Sequence, residues 1–209
     1  MSSEGLWSRT RRAAIAEIIE VAMDLFLEKG FDATTIDDIA AAAGISRRSF
    51  FRYFGTKEDI VLGHLAGEGV RAREALAARP DDEPLWTALL NVLTTIDGTT
   101  VSPAEQERLL KISEMMHGTP SLRARTFEKH LGWQADILPE VRRRLGAGPG
   151  DDLADLRAGA VMASAIACLD AAGETWTRLG GTVPLSDLLR VAFDAVQPLP
   201  DARDRQLGT

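Results

Sequence analysis

Residues 35–54 read TIDDIAAAAGISRRSFFRYF, and the side chains gathered at the end of this stretch suit contact with a polyanion. Arg47, Arg48, Ser49 and Arg52 stand close together. A guanidinium donates paired, in-plane hydrogen bonds to phosphate oxygens or to the edge of guanine, and a serine hydroxyl can donate or accept. Phe50, Phe51 and Phe54 add aromatic surface for packing or for thymine methyls. Bond-making chemistry is not written anywhere in the chain. There is no glycine-rich phosphate loop after a strand, no nucleophile elbow and no paired histidine and carboxylate spacing, so no enzyme is expected. Three histidines and the single Cys168 offer neither metal-ligand spacing nor an intramolecular disulfide, and no metal or cofactor is expected.

Two short helices must hold that cationic cluster. Thr35 with Asp38 forms an N-cap and a box-like pair, so a helix starts at Ile36, with Ile39, Ala40 and Ala43 on its apolar face. Gly44 ends it, because glycine tolerates the left-handed backbone of a sharp exit. Ser46 then caps a second helix beginning at Arg47. Two helices joined by a glycine-centred turn, with the second one basic, are the make-up of a helix-turn-helix that reads duplex DNA. A supporting helix precedes them: from Thr10 the apolar residues Ile15, Ile18, Ile19, Ala22 and Phe26 recur at helical spacing until Gly30. Thr56 with Asp59 repeats the capping pattern and opens a helix with Lys57 at its start and Ile60, Val61 and Leu65 inside.

Beyond the break at residues 80–84 the pattern stays helical, with segments near 85–96, 103–116, 121–145, 151–179 and 185–196 and no strand-like alternation. The fold class is therefore all-α: an N-terminal three-helix DNA-binding domain at 10–57, its motif at 35–54, and a C-terminal helical domain at 58–200, whose expected roles in effector binding and dimerisation rest on the resemblance given below. Pro139 removes a backbone donor and predicts a bend or break in its helix. Gly159, Ala160, Ala163, Ser164, Ala167, Ala171 and Ala172 are small and permit close helix approach, within or between chains.

A net charge of −7 argues against a nucleic-acid partner only until it is divided along the chain. Residues 1–57 hold eight basic and eight acidic side chains, whereas residues 58–209 hold sixteen and twenty-three. All the excess acid lies downstream. Arg9, Arg11 and Arg12 form one basic cluster upstream, and Arg47, Arg48, Arg52 and Lys57 another. Phosphates respond to this local field rather than to the total. No apolar run approaches the roughly 20 residues that span a bilayer, and the N-terminus lacks a basic-then-apolar signal pattern, so a cytoplasmic location is expected.

Thr35, Ile39, Ala40, Ala43, Gly44, Ile45 and Ser46, followed by Tyr53-Phe54 and Lys57-Glu58, match the pattern T-x-x-x-I-A-x-x-A-G-(V/I)-S. Over about residues 10–62 the chain resembles the TetR family of bacterial one-component repressors. The resemblance implies DNA-backbone contacts from Thr35, Tyr53 and Lys57, and base or mixed contacts from Arg47, Arg48, Ser49 and Phe50. Arg48 departs from the glycine or proline common there, and Phe51 from the common tyrosine. Arg11 and Arg12 read either as a solvated basic tail or as phosphate and minor-groove contacts.

Further on, Arg108-Leu109-Leu110, Pro120-Ser121-Leu122 and the small-residue helix ending at Trp176 resemble the C-terminal domain of mycofactocin-type regulators, which implies an acyl-CoA-like effector. Trp86, Met115, Trp133, Trp176 and Arg123 are the residues expected around it, with plain core packing as the competing role for the bulky ones. Arg123 and Arg125 each stand close enough to Glu128 to pair with it. The expectation is a ligand-responsive homodimeric regulator, a repressor released from a palindromic operator by a small-molecule effector. Co-repressor-dependent binding or activation is the alternative, and no membrane partner is called for.

Overall fold

The computed structural model describes residues 3–65, 67–96, 103–146, 148 and 150–196, and every regular element among them is helical. In chain order these are α1 (Ser3–Lys29), α2 (Ile36–Ala42), α3 (Arg47–Tyr53), α4 (Lys57–Val61), a 3-10 turn at Gly63–Leu65, α5 (Glu68–Ala77), α6 (Leu85–Ile96), α7 (Pro103–Gly118), α8 (Pro120–Arg144), α9 (Asp152–Arg178) and α10 (Leu185–Val196). The all-α expectation holds. α1 opens upstream of Thr10, at Ser3. α8 runs unbroken through Pro139. Pro139 and Ala135, whose carbonyl loses its usual amide partner, are both exposed residues.

The helices condense into two compact units that are each discontinuous in sequence. The first contains α1–α4, the 3-10 turn and residues 111–129. Its core is Ile18, Ala22, Met23 and Phe26 of α1, then Phe31, Ile39, Phe50, Phe54, Ile60, Val61, Leu62 and Leu122. Leu122, on α8, is completely buried there, and Ile112, Met115 and Met116 of α7 pack against the same cluster. Division by packing thus falls elsewhere than the expected boundary at 57/58. The periodicity of 111–129 marks it as helical but cannot say which core its apolar face enters.

The second unit contains α5, α6, α9, α10 and residues 103–110 and 130–144. α10 lies on α9 and α6, and α5 lies on α6. Trp86 stacks on Phe193 with ring centroids 4.3 Å apart and donates its indole N–H to the Phe193 carbonyl at 3.1 Å. Gly69 of α5 is buried against α8. A Cβ there would stand 2.9 Å from the Trp133 Cα and 2.6 Å from an Asp136 carboxylate oxygen, so only glycine permits this crossing. The C-terminal end of α5 is capped from a distance: the guanidinium of Arg144, whose side chain is 3% exposed, donates to the carbonyls of Leu76, Arg79 and Pro80 at 2.8, 2.7 and 3.0 Å. Leu76 and Pro80 also accept from the Arg79 and Glu83 amides at 3.2 Å, and the buried cation adds a charge-assisted donor at this negative end of the helix.

α9 carries two faces. Ala154, Ala158, Met162, Ala165, Ile166, Cys168 and Ala172 are buried, whereas Leu153, Leu156, Ala160, Ala163, Ala167 and Ala171 are exposed. By length and composition this helix is apolar enough to cross a membrane, with an 18-residue stretch of mean hydropathy 1.3. Uninterrupted apolar runs in it are short, but the many alanines lift the average. One face is nonetheless packed within the unit, on α6 and α10.

Candidate nucleic-acid interface

The turn between α2 and α3 is fixed at both ends by hydrogen bonds that the local sequence supplies. Thr35 caps α2: its Oγ1 accepts from the Asp38 amide at 3.1 Å and donates to Asp38 Oδ2 at 2.6 Å, and its own amide donates to the same oxygen at 2.9 Å. These donations hold the Asp38 carboxyl below the usual aspartate range. The interaction is complete above that range and is lost as pH falls through the lowered value. At the exit, Gly44 adopts φ +64°, the Ile45 amide donates to the Ala40 carbonyl at 2.9 Å and the Gly44 amide to Ala41 at 3.2 Å. This is a complete Schellman closure, and it releases the chain just where Ser46 accepts from the Ser49 amide at 3.1 Å to start α3.

α3 is anchored by one side chain. Phe50 is fully buried, with Phe51 and Phe54 at ring-centroid distances of 5.5 Å. Phe50 was expected among the DNA contacts. The structure places it in the core of the first unit, on the face of α3 turned away from solvent. The opposite face exposes Arg47, Arg48, Phe51 and Arg52, while Ser49 and Tyr53 are half-buried. Arg52 Nη2 donates to the Tyr53 hydroxyl at 3.0 Å, and its guanidinium lies 4.9 Å from the centre of that ring. The Arg11 guanidinium of α1 lies 5.9 Å from the same ring. One arginine of the N-terminal cluster is thereby brought to the recognition helix. Arg12 belongs to α1, but its side chain lies outside the described residues.

Arg47 and Lys57 have protein partners that spacing did not reveal. Arg47 Nη1 donates to both carboxylate oxygens of Asp37, at 2.9 and 2.8 Å, and the guanidinium lies 5.7 Å from the centre of the Phe51 ring. Lys57 Nζ donates to the carbonyls of Phe31 and Thr34, both at 2.8 Å, and stands 4.5 Å from the centre of the Phe31 ring. Thr34, completely buried, donates in turn to the Gly30 carbonyl at 2.8 Å. Lys57 therefore ties the start of α4 to the loop between α1 and α2, a structural task added to the phosphate contact implied for it.

The residues expected around an effector are divided between the two units. Met115 and Arg123 belong to the first unit, Met115 packed on its core and Arg123 exposed. Trp86, Trp133 and Trp176 belong to the second: Trp86 stacks on Phe193, Trp133 is buried beside His130 at 4.9 Å, and Trp176 contacts Gly181. Arg125 pairs with Glu128 at 2.5 Å, as the spacing predicts, and also meets Asp59 of α4 at 3.5 Å.

The position of the Lys57 ammonium makes one variant decisive. Lys57→Met keeps the aliphatic stem and removes two charge-assisted hydrogen bonds, so the midpoint of urea unfolding falls by the equivalent of about 2 kcal/mol. Unchanged stability, with a salt slope of DNA binding smaller by about one, would instead assign the ammonium to phosphate alone.

Comparison with known proteins agrees with this geometry. Residues 18–63 match the family model of bacterial regulatory proteins, tetR family, and residues 83–199 match the MftR C-terminal domain. The chain is similar to the mycofactocin biosynthesis transcriptional regulator MftR of Mycobacterium tuberculosis, at 31% identity over 94% of this chain and 96% of that protein. Among solved structures it resembles a TetR-family regulator from Syntrophomonas wolfei, with a TM-score of 0.57 and 17% identity over 88% of this chain and 93% of that one. It also resembles the TetR-family repressor FadR of Thermus thermophilus, solved with lauroyl-CoA, with a TM-score of 0.52 and 26% identity over 86% and 91% of the two chains. Regulators, not enzymes, surround it on every comparison. A helix-turn-helix with its cationic face outward and a helical second unit of matching type place this chain in the TetR family of DNA-binding transcriptional regulators, among those with an MftR-type C-terminal domain.

Proposed function

We propose that the protein is a homodimeric repressor that reads a palindromic operator with α3 and leaves it when a small-molecule effector binds the helical domain. The observation that carries the DNA half is the exposed row Arg47, Arg48, Arg52 beside Tyr53 and Arg11, all on one side of a helix whose other side is anchored by Phe50. Arg48 has the freedom to enter the major groove, and Arg11, Arg52 and Tyr53 together suit phosphate oxygens. Arg48→Ala relaxes sequence choice and weakens the preferred site by about 1–3 kcal/mol. Arg52→Ala weakens all duplexes alike and lowers the salt slope by about one. Fluorescence anisotropy with operator and scrambled duplexes across a salt series measures both, and identical losses on both duplexes for Arg48→Ala would remove α3 from base reading.

A palindrome needs two copies related by a two-fold axis. The outward face of α9, with Leu153 64% and Leu156 68% exposed, continues through Ala160, Ala163, Ala167 and Ala171, and Val191 of α10 is 67% exposed. Small residues between larger apolar ones let a second copy approach closely. Ala163→Arg and Ala167→Glu point away from the monomer core, so each variant folds and sediments as a monomer with weakened operator binding. A wild type that sediments as a monomer while still binding a palindrome tightly contradicts the dimer.

For the effector, the resemblance to a repressor solved with lauroyl-CoA and the MftR-type domain favour an acyl-CoA or related thioester. A cavity of about 320 Å³ in the second unit is lined by Glu68, Arg71, Ala72, Ala75, Val92 and Thr95. It lies at the small end of the ~300–1,000 Å³ that ligand pockets occupy, room for an acyl chain without its nucleotide. An effector that binds the released conformation more tightly shifts the population off DNA by that difference in affinity. Acyl-CoAs of rising chain length, titrated against the operator complex, quench or enhance tryptophan fluorescence and dissociate the complex over a limited range of lengths. Binding that leaves operator affinity unchanged ends the effector assignment and leaves the repressor assignment standing.

A further inference from the structure

We infer that Asp37 is a positioning residue that presents Arg47 as a reader of guanine, an inference that rests on α3 being the recognition helix. Four observations converge on this pair. Asp37 stands in the first turn of α2 and Arg47 opens α3, so the contact spans the turn of the helix-turn-helix. Nη1 alone of the Arg47 guanidinium donates to Asp37, reaching both oxygens at 2.9 and 2.8 Å. The edge formed by Nε and Nη2 makes no protein hydrogen bond among the described residues, and it is an edge of the type that meets O6 and N7 of guanine with two parallel bonds. The Phe51 ring, 5.7 Å from the guanidinium carbon, limits the remaining rotation.

Both side chains are exposed, 60% for Arg47 and 66% for Asp37, so the pair adds little to folding. Its value lies in order. A free arginine gives up several rotatable bonds when it docks on a base, and a carboxylate that has already fixed the guanidinium plane reduces that loss at the moment of binding. Asp37 also sets a negative charge at a surface that meets phosphate, which opposes sequence-independent binding. Positioning therefore gives opposite signs on two substrates: removal of Asp37 lowers preference for guanine and raises affinity for arbitrary duplex. A merely structural residue lowers both.

The test uses the full-length protein and a randomised duplex library. Selection with the wild type identifies the preferred half-site, and its failure to yield any palindrome would count against the proposed function itself. Affinities are then measured for the selected duplex, for single-base variants of it and for a scrambled duplex. Arg47→Ala reduces the preference for guanine at one position of each half-site about tenfold. Asp37→Ala reduces the preference at that same position by several-fold while scrambled duplex binds at least as tightly as before. The double variant loses no more preference than Arg47→Ala alone, the non-additivity expected of residues acting as one unit. Asp37→Asn, which keeps the shape and weakens the acceptor, falls between wild type and Asp37→Ala. The inference is overturned if Arg47→Ala leaves guanine preference intact, if Asp37→Ala preserves it, or if the two losses add.

Discussion

A helix of seven residues has no stability of its own, because nucleation fixes several residues before propagation returns anything. α3 exists only because both ends and one side are held by the rest of the first unit. Ser46 closes its start, the Schellman closure at Gly44 aims it, and Phe50 fixes its rotation by entering a core built from α1, α2, α4 and Leu122 of α8. Rotation is the quantity that matters for reading. With Phe50 inside, Arg47, Arg48 and Arg52 have only the solvent side to occupy. The orientation of that surface is thus set by a residue buried beneath it.

The elements that local chemistry specifies were legible in the sequence. Thr35 with Asp38, Gly44, Ser46, and Thr56 with Asp59 all perform the capping and turning roles that their types and spacing indicate, because such hydrogen bonds form within a few residues of chain. The start of α10 at Leu185 was readable from the Gly, Thr and Pro residues that precede it. Where reading stopped was at contacts whose partners lie far apart. The Lys57 ammonium reaches carbonyls 26 and 23 residues earlier, and no pattern of side-chain types marks a backbone oxygen. Asp37 and Arg47 are ten residues apart across a turn whose geometry alone decides that they meet.

Aromatic residues illustrate the same limit from the other side. Phe50 and Phe51 are neighbours of one type, yet one is core and the other is 48% exposed, because successive positions on a helix differ by about 100°. The tryptophans raise a related difficulty. Bulky apolar side chains at helical spacing build walls and fill interiors by identical physics, and Trp86, stacked on Phe193 with its N–H satisfied, is spacing-compatible with either. A cavity in the second unit is lined by alanine, valine and threonine with one ion pair, types too common along the chain to stand out.

Residues 111–129 join the core of the reading unit although more than forty residues of the other unit separate them from α4 in sequence. Recombination that exchanges operator specificity between related regulators by a single crossover after the 3-10 turn would leave Leu122, Met115 and Met116 of one parent facing Phe26, Phe31 and Ile60 of another. A graft that preserves this core requires matched residues at two distant places. The evolutionary unit of DNA recognition in this chain is accordingly larger than the helix-turn-helix, and divergence of α3 is free only where it leaves that shared interior unchanged.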